Sequence, residues 1–113
     1  NTVVTAQQAA IDLLSPGVNC VDLQNVSQQM LDASGFGKYA GQGLGHGLGL
    51  FLHEQPFINI NCKHQLEVGN VITIEPGIYI PDFGGVRLEE DILITPTGYE
   101  ILTHAPKPFE LEL

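Results

Sequence analysis

Apolar residues recur at helical spacing at the start of the chain. Val3, Ala6, Ala10 and Leu13 mark one stripe, widened by Val4 and Ile11, and this period predicts a helix over Val3–Leu14. Ser15-Pro16-Gly17 stops it, because Pro and Gly together deny a further turn. A second helix follows, with Asn19 as its cap and Asp22 suited to its positive first turn. Leu23, Val26 and Met30 form its i, i+3, i+7 stripe, and Gly35 is its stop. The period is then lost. Seven glycines stand between Gly35 and Gly49, a density that defeats a helix and implies backbone in close approach to other backbone or to a ligand. Strand signals come next. Val71 to Ile74 is β-branched throughout, and Ile78 to Ile80 continues it past a bend at Pro76-Gly77. Pro81 to Gly85 reads as a hairpin loop. Val86 to Ile94 alternates, with Val86, Leu88, Ile92 and Ile94 on one side. Thr95 to Gly98 is a second turn, and Tyr99 to Thr103 a last strand. Ala105 to Leu113 reads as a surface-running terminus. Two helices followed by an antiparallel β-meander is an α+β pattern.

Composition narrows the function classes. At 113 residues the chain is one domain, or part of one. Its net charge of −9 argues against nucleic acid and anionic membranes as partners, since both are met with Lys and Arg. No apolar run approaches the ~20 residues of a membrane helix. The chain opens at Asn1, with no initiating Met and no signal-type segment, directly into the first helical stripe, so it is expected to be a piece of something longer. Cys20 and Cys62 show no C-x-x-C and no metal spacing. Two reduced thiols of a cytoplasmic protein are the favoured reading, and a single disulfide stays open.

The charges keep unusual company. Only 15% of residues are charged, yet Glu75, Arg87, Glu89, Glu90 and Asp91 sit within otherwise apolar strands. Buried carboxylates are normally paired or bound to metal. Alternation puts Arg87, Glu89 and Asp91 on one face and leaves Glu90 on the apolar one, a placement the pattern does not explain. A solvated edge-strand face accounts equally well for Glu90 and Asp91, but poorly for Glu75, wedged between Ile74 and Pro76. His46 lies in Gly45-His46-Gly47-Leu48-Gly49, and His53 precedes Glu54. His53-Glu54-Gln55-Pro56-Phe57 is not an H-E-x-x-H zinc motif, because Phe ends it and Pro56 breaks a helix. A lone His is more often structural than a ligand. Two histidines ahead of two strand carboxylates shift that balance toward a mixed His/carboxylate metal site for Mn, Fe, Co or Zn. The glycines contain no nucleotide-binding loop, and no Ser has a nucleophile setting. His64 and His104 read as solvated. Phe36, Tyr39, Phe51 and Phe57 flank the glycine region, where core packing is the expected role and a pocket lining the alternative.

These segments, together with Thr73-Ile74-Glu75-Pro76-Gly77-Ile78-Tyr79 and Gly84-Gly85-Val86-Arg87-Leu88-Glu89-Glu90-Asp91, resemble in order and spacing the motif series of the pita-bread metallopeptidases. The Glu-Pro-Gly-Ile-Tyr form and the Gly-Tyr-Glu-Ile-Leu-Thr ending are more similar to Xaa-Pro dipeptidases (prolidases) and Xaa-Pro aminopeptidases than to methionine aminopeptidases. The resemblance spans the chain but covers only the second half of a catalytic domain, so residues 1–113 are expected to be its C-terminal part, with the preceding half absent. It implies that His46 and Glu75 ligate one metal, that Glu89 bridges two, that His53 contacts substrate near the scissile bond, and that Arg87 orients Glu89. It implies metal-assisted hydrolysis, with Glu75 shuttling a proton toward the leaving amine and His53 stabilising the oxyanion.

Two departures qualify the match. The family's two aspartates, from an earlier strand pair, have no counterpart in this sequence; Asp12, Asp22 and Asp32 lie on helices. Gln42 stands where many relatives carry His. The expectation is therefore hydrolysis of Xaa-Pro bonds, in dipeptides or at peptide N-termini, by a cytoplasmic and homodimeric parent protein. Two divalent ions serve it, Mn first and Co or Zn as alternatives, and the substrate is a small peptide with proline second. This chain alone is expected to be inactive. The competing reading is a catalytically silent pita-bread module used for protein binding.

Overall fold

The computed structural model describes residues 1–107. Helix α1 (Thr2–Asp12) and helix α2 (Cys20–Ala33) pack against each other, and a single 3-10 turn (Gly37–Tyr39) follows. The strands are β1 (Gly45–Gly47), β2 (Glu54–Ile58), β3 (Val71–Ile74), β4 (Gly77–Ile80), β5 (Gly84–Arg87), β6 (Glu90–Thr95) and β7 (Gly98–Ile101). Five form one sheet in the order β2-β1-β3-β6-β7, and β4-β5 is a separate hairpin. All pairings are antiparallel. The α+β class stands, and the glycine-rich region supplies β1, a strand that its composition concealed. The core lies between α1, α2 and the five-stranded sheet, around Ile11, Leu23, Leu44, Ile58, Ile72 and Ile92. No helix among the described residues is long and apolar enough to cross a membrane.

Helix α1 buries Val3, Ala6, Ala10 and Ile11 as predicted and departs from the stripe at its end, whereas α2 buries a face rotated from the predicted one. The last turn of α1 tightens, with Leu13 and Leu14 donating to the Ala10 and Ile11 carbonyls. That 3-10-type ending eclipses residues three apart, so Leu14 follows Ile11 into the core while Leu13 is 41% exposed. In α2 the buried residues are Cys20, Leu23, Gln24, Ser27 and Leu31. Val26 and Met30 are only half-buried. The true stripe runs through Gln24 and Ser27, whose polarity hid it. Asn19 holds the N-cap position of α2 without a side-chain capping bond. Its C-terminus closes as expected: Gly35, at φ +84°, donates to Asp32, and Phe36 donates to Leu31, the paired bonds of a Schellman ending.

The predicted strand Val86–Ile94 is two strands. Up to Arg87 it pairs with β4, and from Glu90 it pairs with β3. The break lies opposite Pro76, which has no N–H to give a ladder; its carbonyl instead accepts from Leu88 N–H at 3.3 Å. Arg87 and Glu89 therefore do not share one regular strand face. Glu90 is 7% exposed and accepts a hydrogen bond from the Thr103 hydroxyl, which explains its place on the apolar side. The turns at 81–83 and 96–97 fall where expected, and β7 ends at Ile101 rather than Thr103. The tail reading for 105–113 lies beyond the described residues after Lys107.

Cys20 and Cys62 are free thiols in contact with each other. Burial, and then the neighbouring Cys62, push the Cys20 thiol up to about 12.

Candidate metal centre

The centre is built where β1 lies between β2 and β3. A methyl group on Gly45 would overlap the Thr73 carbonyl, and one on Gly47 the Gln55 carbonyl. Glycine at both places lets three backbones close around His46, whose N–H donates to Thr73 Oγ1 at 3.0 Å. Glu75 follows β3 directly, and its N–H donates to the Leu44 carbonyl at 2.7 Å. Gln7, buried on α1, donates from Nε2 to the Ile74 carbonyl at 3.1 Å, so the helix layer braces this strand end. The register of β3 with β6 pairs Ile74 with Glu90. One residue further, beyond the ladder, Glu75 faces Glu89.

These three side chains converge. His46 Nδ1 lies 2.9 Å from the Gly47 carbonyl. A carbonyl only accepts, so the neutral ring carries its proton there and presents a bare Nε2. Nε2 stands 3.3 Å from Glu75 Oε2. One donor atom each from His46, Glu75 and Glu89 all lie within 4.8 Å of one another. Ligands at ~2.1 Å on opposite sides of an ion stand ~4.2 Å apart, so a small contraction would seat a divalent cation. The carboxyl of Glu89 is held above its ordinary value, first by loss of water around it, then by the Glu75 charge and a hydrogen bond to Glu75, then by Asp91; Arg87 opposes this weakly. Two carboxylates crowded against an imidazole lone pair fit a cation and repel each other without one.

The other expected residues are looser. His53 is exposed, outside any strand, and its ring meets that of His46 edge-on, centroids 4.5 Å apart. Glu54 steadies the loop before it, accepting from Phe51 N–H at 3.4 Å. Arg87 is exposed on β5 opposite Gly77 and forms no ion pair with Glu89 among the described residues. A cleft of about 200 Å³ is lined by His46, His53 and Glu75 together with Gln42, Phe57 and Asn59. Phe57 thus lines the cleft as well as being part-exposed, and Phe51, 73% exposed, is not a core residue. Asn59 escaped the sequence reading, since nothing distinguishes it from the polar loop around it.

Residues 1–96 match the model of metallopeptidase family M24. An uncharacterised peptidase of Staphylococcus aureus (strain MW2) is 45% identical over 107 residues, covering 95% of this chain and 30% of the relative. The prolidase of Pyrococcus furiosus superimposes with a TM-score of 0.91 at 42% identity, over 94% of this chain and 32% of that one. The X-Pro aminopeptidase of Thermotoga maritima MSB8 gives 0.90 at 38% identity, over 93% and 30%. The chain thus spans about a third of the length of these relatives and shares the pita-bread fold of the prolidases. With its fold, its motif order and 96 of its residues matched, the chain belongs to metallopeptidase family M24.

Proposed function

We propose that residues 1–113 are the C-terminal part of a catalytic domain whose full-length protein hydrolyses Xaa-Pro bonds, in dipeptides or at peptide N-termini, in the cytoplasm and as a homodimer. The observation that carries this reading is the convergence of His46, Glu75 and Glu89 within 4.8 Å. Likeness to a prolidase and an X-Pro aminopeptidase supports the substrate class.

His46, Glu75 and Glu89 would hold divalent ions. Carboxylate-rich ligation favours Mn, with Co or Zn as alternatives. Such ions supply the Lewis acidity that makes hydroxide available near neutral pH and polarises a carbonyl. The remaining work falls to side chains of this chain. Glu75 borders the cleft and takes a proton from attacking water, then delivers it to the departing amine. His53, edge-on to His46, donates to the oxygen that gains charge in the tetrahedral state. Arg87, two residues before Glu89, orients the site from outside the ligand set and places positive charge near Glu89. A silent binding module would gain nothing from crowding these groups together. The 113-residue chain alone is expected to be inactive and to hold metal weakly, because among the described residues it brings only these three donors together.

The test is an assay of the full-length protein with Mn²⁺ on Xaa-Pro dipeptides. Glu89→Gln is expected to lower kcat/KM by about 100-fold or more. An unchanged rate would overturn the assignment.

A further inference from the structure

The buried residues of α1 are Val3, Ala6, Gln7, Ala10 and Ile11. Gln7 is the one polar side chain among them, and it is fully buried. Its Nε2 donates to the Ile74 carbonyl at 3.1 Å, while its Oε1 has no hydrogen-bond partner among the described residues. Turning the amide over would set two acceptors against each other, so this orientation is forced. A buried polar atom without a partner destabilises a fold. Leu or Met would fill the same place among apolar neighbours without that loss. Core packing therefore does not account for glutamine here, whereas its bond to Ile74 does.

The bond falls on the peptide group that carries Glu75. The Ile74 carbonyl is one end of that planar group and the Glu75 N–H the other, pointing opposite ways. Gln7 holds the first, and the Leu44 carbonyl holds the second at 2.7 Å. Pro76 follows and disfavours helical backbone at Glu75. Glu75 is thus restrained on one side by two partners distant in sequence and on the other by proline. The second ligand is tied to the same strand, since His46 N–H donates to Thr73 Oγ1 at 3.0 Å. The 3.3 Å between Glu75 Oε2 and His46 Nε2 depends on both attachments. The Leu44 contact is backbone to backbone, whereas the Gln7 contact depends on its side chain.

Resting on the metallopeptidase function above, we propose that Gln7 is a positioning residue for Glu75. From the helix layer it holds the Ile74–Glu75 peptide where the Glu75 carboxylate meets His46 and a shared divalent ion, and it does so while leaving a buried oxygen unpartnered. The full-length protein and its Gln7→Met variant are titrated with Mn²⁺ by calorimetry, unfolded with urea free of metal, and assayed on Ala-Pro at saturating Mn²⁺. Gln7→Met removes the donor and the unpartnered oxygen together. It is expected to bind Mn²⁺ about tenfold more weakly and to lower kcat about tenfold with KM unchanged. Its metal-free urea midpoint is expected to stay level or rise. Gln24→Met is the reference, because Gln24 is also buried, on α2, with an unpartnered Oε1; it is expected to keep wild-type Mn²⁺ affinity. An affinity unmoved in Gln7→Met, lowered equally in both variants, or lowered only together with the urea midpoint overturns the positioning role. Wild-type protein that binds Mn²⁺ but leaves Ala-Pro intact overturns the peptidase reading instead, and the affinity comparison still decides Gln7.

Discussion

His46 presents Nε2 to Glu75 Oε2 at 3.3 Å while its Nδ1 is tied to the Gly47 carbonyl at 2.9 Å. The carbonyl fixes which nitrogen is bare, and the bare one faces a carboxylate also crowded by Glu89. Such an arrangement gains from a cation and little else. His46→Gln keeps much of the volume and loses the ring nitrogen. It is expected to weaken Mn²⁺ binding by the full-length protein at least about tenfold in calorimetric titration, with the metal-free melting temperature nearly unchanged. A large drop in that temperature would mark His46 as structural.

The crowding of Glu89 also sets a pH dependence. Its folded-state pKa is raised, mainly by desolvation and then by Glu75. The folded state therefore holds its proton more tightly than the unfolded one, and this contribution to stability is full below the ordinary carboxyl value of 4.5. It is lost as pH rises through the raised value. Metal-free protein is accordingly expected to lose stability over that interval, and Glu89→Gln to flatten the loss. Urea unfolding across pH, with and without Mn²⁺, measures it; metal should remove the effect in the wild type.

The α+β class is legible in the chain. The residues that converge at the centre are those the family resemblance implied, and glycine beside His46 and proline after Glu75 add that backbones approach or a ladder ends there. The faces of the helices were less legible. Hydrophobic periodicity sees only apolar residues, whereas Gln7 and Gln24 are buried polar ones, and a single tightened turn moved Leu14 inside in place of Leu13. The split of the strand at Leu88 was hidden for a different reason. Alternation runs through the sequence there with Glu90 as its one break, and the missing N–H of Pro76, on another segment, ends the pairing.

Close backbone approach at β1 can be tested directly. Gly45→Ala would drive a methyl into the Thr73 carbonyl, and backbone cannot swing aside as a side chain does. A destabilisation of ~1–3 kcal/mol is expected from such overpacking, with Mn²⁺ affinity lost in parallel because His46 rides on the displaced strand. Denaturant unfolding and metal titration of the same variant should move together; full metal affinity in a destabilised Gly45→Ala protein would separate the strand from the site.

The thiols make a chemical prediction. Cys20 is fully buried and its pKa is pushed up to about 12 from 9.0, so it stays a thiol where an unfolded cysteine ionises. Only the thiolate reacts. Native protein at pH 8 is expected to show Cys62 labelled by an aromatic disulfide reagent and Cys20 labelled only after unfolding. The raised pKa also means that this contribution to stability is present below about 9 and is lost between 9 and about 12. Equal labelling rates at both cysteines would contradict the burial.

Glu90 and Thr103 form the most exacting pair outside the centre. The Thr103 hydroxyl donates to Glu90 and also accepts from the Asp91 N–H at 3.0 Å, so one side chain satisfies a buried carboxylate and a strand end at once. Thr103→Val removes both bonds at nearly constant volume. Leaving a buried acceptor unpartnered costs about 1–3 kcal/mol, so the variant is expected to unfold at lower denaturant by that amount. Glu90→Leu combined with Thr103→Val removes the orphaned carboxylate as well and is expected to recover most of the loss. Strict additivity of the two single changes in this double-mutant cycle would show that the bond contributes nothing to the fold.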